Sequence, residues 1–582
     1  MRSVRTLSGA LGACLALLLS SMAVAAPNSG ASTGSSGQRS LRAADSAQSD
    51  GEEFVVAFDA AQHDQAMASI SAAGGSVLDV TESAGLALVG SSNTAFLDEV
   101  RAAPAIAGAA SNHSVGTSRP GMPHRFAEER PTTSARTTTR GGGGTAQNGR
   151  RGRASEPLAD LQWDMAMIGA TPDGAWRNAT GRGVTVGVID TGVDASHPDI
   201  APNFSQALSR NFTMDIPSVD GPCEVSTCID PANVDDGGHG THVAGIIAGA
   251  RNGIGIAGVA PDATIVNVRA GQDSGYFFLY ETVAALTYAG DAALDVVNMS
   301  FYTDPWLYNC ESADDYVEGT PTEAEIADQA FIRSTILAAL DYATDHGVTL
   351  VAAAGNGHAD LDEELRLDDS SPDYPPGSEA HRIVTNNCLD LPSEGPDVVS
   401  VSAVGPSTTK SDFSNYGFGE VEVSAPGGWF RDGVGTPTYR TPGNLILSSY
   451  PLKLAIEEGL ANPDGTPADA FSVRSCNAHG TSCGFYTYLQ GTSMASPHAA
   501  GVAALIVESH GDGSHRRGFS LDPASVRAIL LATATDHACP VGGVEIYTDE
   551  GRPASWNAIC EGTTANNGLY GEGIINATAA AH

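Results

Sequence analysis

The sequence predicts an α/β protein, a mostly parallel sheet with helices on both faces, preceded by a small α+β unit. Three observations carry this reading. From Trp163 onward short apolar runs alternate with longer helical stretches, the rhythm of βαβ units. Between about 53 and 115 a shorter set of strand and helix patterns stands apart. The two are separated by a tract rich in Arg, Thr and Gly that has no hydrophobic period.

In chain order, Arg2 and Arg5 precede an apolar stretch that includes Leu15 to Leu19, and Ala23-Val24-Ala25 offers a small-residue cleavage site. Residues 1–26 therefore read as a signal peptide, and the mature protein is expected to be secreted, outside the cytoplasm. Leu11-Gly12-Ala13-Cys14 also fits a lipoprotein box, which would make the chain lipid-anchored through Cys14, although the apolar run continues past that cysteine. Residues 27–52 are rich in Ser, Gly and Ala and are expected to be disordered. Next come a strand at 54–58, a helix at 60–73, strands at 75–80 and 85–89, and a helix at 93–102, which together define a domain over 53–117.

Residues 118–157 include Arg119, Arg136, Arg140, a run of four glycines and Arg150-Arg151-Gly152-Arg153. Basic low-complexity tracts can serve as nucleic-acid arms, but a flexible linker open to proteolysis fits the domain boundary better. Residues 158–582 form the main body. It reads as strands at 183–190, 264–269, 294–299, 349–354 and 398–404, with helices at 241–250, 281–293, 331–345 and 493–509. Segments 302–330, 357–390 and 428–485 break the rhythm with Pro, Gly and acidic residues and read as surface insertions.

Composition excludes several partners. The 582-residue chain carries 68 acidic residues against 30 Lys plus Arg, a formal charge of −38, which argues against nucleic acid or an anionic membrane surface. Beyond the signal no segment has the ~20 consecutive apolar residues of a membrane span. Without Cys14, eight of the nine cysteines remain, an even number for an oxidising compartment. Proximity favours Cys223 with Cys228, Cys310 with Cys388, Cys476 with Cys483 and Cys539 with Cys560, one of many possible connectivities.

Three segments carry chemistry: Val188-Ile189-Asp190-Thr191-Gly192, His239-Gly240-Thr241-His242-Val243-Ala244-Gly245 and Gly491-Thr492-Ser493-Met494-Ala495-Ser496-Pro497-His498. Asp190 ends an apolar strand, at the carboxyl edge where open α/β sheets build their sites. His239 and Ser493 each begin a helical stretch. A serine hydroxyl needs a neighbouring base to act as nucleophile, and histidine supplies one when a buried carboxylate holds its tautomer.

On these three blocks, in the order Asp, His, Ser, the region from about 160 to 582 resembles the subtilisin-like peptidases, the subtilase family or peptidase family S8. The resemblance implies a seven-stranded parallel sheet and a serine endopeptidase that hydrolyses protein or peptide substrates through an acyl-enzyme. It makes Ser493 the nucleophile, His239 the general base and Asp190 its orienting partner, with His242 and His498 as packing groups. It makes the Asn356 amide, in Ala352-Ala353-Ala354-Gly355-Asn356-Gly357, an oxyanion donor beside the Ser493 N–H. Peptide is expected to bind between the edges 274–278 and 300–302, with Ser300, Phe301, Tyr302, Ala353 and Gly355 as substrate-binding residues. Tyr302 stands where the family commonly has Gly, so its side chain either narrows the primary pocket or projects outward.

The resemblance implies no cofactor for the chemistry. It adds a possible structural calcium, with side-chain oxygens from Asp199 and Asn252, carbonyls from Ala250, Ile254 and Ile256, and a further oxygen from near the mature N-terminus. It makes 53–117 an inhibitory prodomain of ferredoxin-like type, the chain's own partner in cis, with a processing site in the linker. Three readings follow: a zymogen of a general endopeptidase, a narrow processing protease, and a catalytically silent scaffold.

Overall fold

The computed structural model describes residues 51–113, 156–375, 377–512 and 521–582. The signal peptide, Cys14, nearly all of 27–52, and nearly all of the linker at 118–157 lie outside the described residues.

The first unit is built from β1 (Glu52–Phe58), α1 (His63–Ala72), β2 (Ser76–Thr81), β3 (Leu86–Ser91), α2 (Phe96–Arg101) and β4 (Ile106–His113). Its four strands pair antiparallel in the order β2-β3-β1-β4, the split βαβ arrangement expected of a ferredoxin-like unit. One sheet face packs on its own helices around Phe54, Val56, Val89 and Phe96. On the other, Val55, Leu86 and Leu88 share a core with the main body. β4 was not anticipated, because after Ile106 the run Ala-Gly-Ala-Ala-Ser-Asn-His has none of the β-branched or large aromatic residues that mark strands.

The main body continues with α3 (Trp163–Ile168), β5 (Thr185–Ile189), β6 (Arg210–Asn211), α4 (His239–Ala248), β7 (Thr264–Arg269), α5 (Leu279–Asp291) and β8 (Val296–Met299). After β9 (Tyr316–Glu318) come α6 (Glu323–Asp345), β10 (Thr349–Ala353), β11 (Leu365–Asp368), β12 (Arg382–Thr385), β13 (Val398–Val404) and β14 (Val423–Pro426). The chain then forms β15 (Ile446–Ser449), α7 (Leu452–Glu457), β16 (Ser472–Cys476), β17 (Cys483–Leu489), α8 (Thr492–His510) and α9 (Pro523–Thr533). The main sheet has seven strands, all parallel, in the order β14-β13-β10-β8-β5-β7-β6. Runs such as Val398-Val399-Ser400-Val401 are buried throughout because helices cover both faces, α4 and α8 on one, α5 and α6 on the other.

Two of the expected surface insertions are one folded module. Strands from 302–330 and 357–390 pair as β11-β12-β9, and Cys310 is bonded to Cys388 between them. The third insertion builds the sheet β15-β17-β16. All four proximity pairings of cysteines are the disulfides observed. Helix α6 starts earlier than predicted, at Glu323, where Thr322 and Glu325 form a reciprocal capping box. Among the described residues no helix is long and apolar enough to cross a membrane.

Candidate active site

The carboxyl ends of the central strands bring the three chemical segments together. Asp190 follows β5 and is fully buried. Its carboxylate accepts from the Thr191 N–H at 2.8 Å and meets His239 Nδ1 at 2.9 and 3.1 Å. Nδ1 is thereby committed to the carboxylate, which leaves Nε2 as the ring nitrogen for proton transfer.

His239 is the first residue of α4, and its entry angle is set by Asp235, a residue the sequence reading passed over. One Asp235 oxygen accepts from Gly237 N, Gly238 N and the Thr191 hydroxyl, and the other from the Thr241 N–H and hydroxyl. Burial raises the Asp235 carboxyl above its ordinary pKa while these bonds oppose the shift. Gly238 sits at φ +81°, and a Cβ there would meet the Tyr450 ring at 2.6 Å, so the turn into the helix requires glycine.

Ser493 lies in the first turn of α8, whose N–H groups have no intrahelical acceptor. Pro497, four residues on, has no N–H to give to the Ser493 carbonyl. The Ser300 hydroxyl donates to that carbonyl at 3.1 Å, and is itself held by Asn298 Nδ2 at 2.9 Å and the Ser496 hydroxyl at 2.9 Å. The Ser493 hydroxyl in turn reaches the Ser300 carbonyl at 3.4 Å. Ser300 thus turns its side chain inward and its backbone toward the cleft.

Asn356 follows β10 in the strand-to-turn segment. Its Oδ1 accepts from the Thr492 N–H at 2.9 Å and the Thr492 hydroxyl at 3.0 Å, which fixes the amide so that its NH2 group lies on the opposite side. Gly355, at φ +99°, donates to the same Thr492 hydroxyl, and a Cβ on it would meet Asn415 at 2.4 Å. Asn415 is a second residue missed from sequence. It holds the turn through the Ala354 carbonyl, the Ala359 N–H and the Gly355 carbonyl. Ala353 ends β10 beside this turn.

One expected substrate edge, 274–278, follows β7, and the other, 300–302, follows β8. Phe301 stacks on Phe277 with ring centroids 3.9 Å apart, and Asp304 ties the edges together by accepting from Phe277 N and donating its own N–H to the Phe277 carbonyl. Tyr302 is half-buried, its hydroxyl bonded to Asp373 of the insertion module at 2.7 Å. Tyr374 of that module contacts the rings of Tyr276 and Phe278 on the first edge. His242 and His498 are structural, bonded to the Thr487 carbonyl and to Asp164 respectively.

The calcium candidates also converge. Asp199 is fully buried, and its carboxylate accepts from Asn252 Nδ2, Ile256 N and the Tyr486 hydroxyl. Glu156 accepts from Gly253 N at 2.6 Å, and burial, with Asp199 adding repulsion, raises its carboxyl. Glu156, near the start of the body, is a carboxylate at this loop that the sequence reading did not single out. Both carboxylates meet the loop at 250–256 through N–H donors, Gly253 to Glu156 and Ile256 to Asp199, and carboxylate oxygens gathered there are the donor type a hard cation takes. Asn252 Oδ1 accepts from Ile254 N, and the Ile254 carbonyl from the Ser475 hydroxyl.

Comparison with known proteins agrees with this geometry. The chain is 28% identical over 390 residues to fervidolysin of Fervidobacterium pennivorans, covering 66% of this chain but only 41% of that protein. It is 28% identical over 356 residues to subtilisin DY of Bacillus licheniformis, covering 61% of this chain and 85% of that protein, and 27% identical to thermitase of Thermoactinomyces vulgaris, covering 66% and 91%. In fold, the epidermin leader peptide processing serine protease of Staphylococcus aureus superposes with a TM-score of 0.58 at 18% identity, over 91% of this chain and 98% of that one. The fervidolysin crystal structure does so at 0.52 and 21%, over 91% and 61%. The family described as the Subtilase family matches residues 181–559. The chain belongs to the subtilase family, peptidase S8, of subtilisin-like serine peptidases.

Proposed function

We propose that this protein is a secreted serine endopeptidase made as a zymogen, with Asp190, His239 and Ser493 as its triad. The observation that carries the reading is the His239 Nδ1 bond to buried Asp190, at 2.9 Å, with Ser493 in the first turn of α8, a helix that shares a core with the His239 helix. His239 Nε2 takes the Ser493 hydroxyl proton as Oγ attacks the substrate carbonyl carbon. The oxyanion accepts from the Asn356 amide and the Ser493 N–H. The imidazolium then protonates the departing amine, and a water activated by the same nitrogen hydrolyses the acyl-enzyme.

Residues 53–117 act as the prodomain in cis, removed by a cut within 118–157. Support comes from its docking. Arg101 pairs with Asp328 of α6 at 2.6 Å, and Asn112, near the end of β4, accepts from Tyr280 N and donates to Glu281, both in the first turn of α5. That turn directly follows the substrate edge at 274–278. Asp199, Asn252, Glu156 and the carbonyls of Ala250, Ile254 and Ile256 would hold calcium, which would stiffen the loop and take no part in the chemistry.

A narrow processing role is favoured over general digestion by one observation: the insertion module touches both substrate edges, through Asp373 and Tyr374. The test is to express 27–582 and its Ser493→Ala form in an oxidising compartment and follow mass and N-terminal sequence. The parent is expected to shorten within 118–157 and the variant to stay full length; processing of both alike would overturn autocatalytic maturation.

A further inference from the structure

A buried acid stands between the two segments expected to wall the primary pocket. Asp390, the last residue of the second insertion, is 3% exposed and is held from both sides. The Leu391 carbonyl accepts from the Thr303 N–H at 2.8 Å, directly after the substrate edge 300–302. On the other side Leu389 and Asn309 exchange backbone bonds at 2.8 and 3.1 Å, next to the Cys310–Cys388 bond. The Asp390 N–H itself donates to Glu394 Oε2 at 2.7 Å, and its carbonyl accepts from the Glu394 N–H at 2.8 Å.

The carboxylate reaches the opposite wall, the turn that follows β10. A Cβ built on Gly355 would stand 3.5 Å from Asp390 Oδ2 and 2.4 Å from Asn415 Nδ2. Because Gly355 has no Cβ, the acid meets bare backbone there, and the half-buried Gly355 and Tyr302 stand on the two sides of the gap. Asp390 thus touches one wall through space and the other through its own chain.

The neighbouring charges are balanced among themselves. Arg366 sets Nη1 and Nη2 on the two Glu394 oxygens at 2.7 Å each, with both side chains 2% exposed. That guanidinium is spent on Glu394. A buried carboxylate is costly unless a cation meets it, so a pocket lined by Asp390 favours a ligand that brings one.

We propose that Asp390 selects a basic side chain, arginine above lysine, at the substrate residue immediately before the cut. A carboxylate in the primary pocket is one physical route to such selectivity. Arginine offers a planar fork that a carboxylate grips through two bonds, whereas lysine brings a single point charge. An apolar side chain in the same place would shut the carboxylate away from both water and a counter-charge. The proposal deepens the proteolytic reading above and rests on it. The chain itself carries a substrate of this chemistry, Arg150-Arg151-Gly152-Arg153, which ends three residues before Glu156 in the linker where the maturation cut is expected. The formal charge of −38 also favours the approach of basic peptides.

The test is a set of peptides identical except for Arg, Lys, Leu or Phe before the cut, given to the protein matured by its own or an added protease. For the parent, kcat/KM with Arg is expected to exceed that with Leu or Phe by about 10²-fold or more, with Lys between. Asp390→Asn, nearly the same shape, is expected to shrink the Arg-to-Leu ratio on the order of tenfold or more, and Asp390→Glu to keep a preference for basic residues. A parent that cleaves the Leu or Phe peptide as fast as the Arg peptide would overturn the proposal without any variant. So would an Asp390→Asn form that loses all four peptides in equal proportion, the mark of a structural role. Calorimetric titration with benzamidine, a planar amidine cation with no bond to cut, separates this proposal from the proteolytic reading. Binding to the parent that Asp390→Asn weakens on the order of tenfold upholds the pocket assignment even if the triad fails. Benzamidine that binds both forms equally, or neither, overturns it.

Discussion

The Ser300 hydroxyl donates to the Ser493 carbonyl at 3.1 Å, the acceptor whose intrahelical donor Pro497 lacks. A proline early in α8 thus opens the first turn, and a residue of the substrate edge closes it again. Ser300→Ala leaves a buried carbonyl without this donor, a loss of about 1–3 kcal/mol, and loosens the turn that carries Ser493. It is expected to lower kcat on the order of tenfold with little change in KM. Steady-state kinetics on a small peptide check this, and an equal rise in KM with kcat intact would make Ser300 a substrate contact only.

Asn356 is oriented by Thr492, the residue before Ser493. Asn356→Ala is expected to cost about 10²- to 10³-fold in kcat, the scale of a lost oxyanion donor. Thr492→Val keeps the backbone bond and removes the hydroxyl bond, so its loss should be smaller. If Asn356→Ala retains full kcat, the oxyanion assignment fails.

Lys410, one of two lysines in the chain, is fully buried against the Tyr416 and Tyr547 rings, at 4.7 and 5.5 Å from their centroids. Burial lowers its pKa from 10.5 to about 7, although Asp412, Glu545 and Asp360 pull the other way. The unfolded chain therefore holds this proton more tightly than the native one. The cost to stability is full below about pH 7 and fades as pH rises toward the unfolded value of 10.5. Lys410→Met is expected to stabilise the fold by about 1–4 kcal/mol in mildly acidic buffer and to flatten that slope. Denaturant titrations on either side of neutrality measure both, and a variant less stable than the parent in acid would contradict the account.

The Cys310–Cys388 bond closes 78 residues, against 5 for Cys223–Cys228. Chain-entropy estimates give about 4 kcal/mol for the longer loop and about 2 for the shorter. Replacing Cys310 and Cys388 together by Ser should lower Tm more than replacing Cys223 and Cys228. It should also raise KM, because the module carries Asp373 and Tyr374 to the substrate edges. An unchanged KM with a lowered Tm would confine the module to a stabilising role.

The parallel strands were legible because burial on both faces leaves apolar runs such as Val398 to Val404. The three motif blocks were legible because each is contiguous. What escaped was non-local. Asp235 and Asn415 act on backbone groups whose proximity only the fold creates. Glu156 lies far in sequence from the loop it meets. The joining of two insertions into one sheet is likewise a pairing between distant segments, with no period in either to announce it. The start of α6 was readable in retrospect, since Thr322 and Glu325 have the spacing of a capping box.

The central claim is that Ser493 is the nucleophile served by His239 and Asp190. The most direct measurement is reaction of the matured protein with a fluorophosphonate, followed by peptide mapping of the adduct, alongside the His239→Ala form. The account predicts a single adduct on Ser493, loss of peptide hydrolysis in step with labelling, and labelling slowed by orders of magnitude in His239→Ala. A folded, matured protein that hydrolyses peptide while Ser493 stays unlabelled, or that labels equally well without His239, would contradict it.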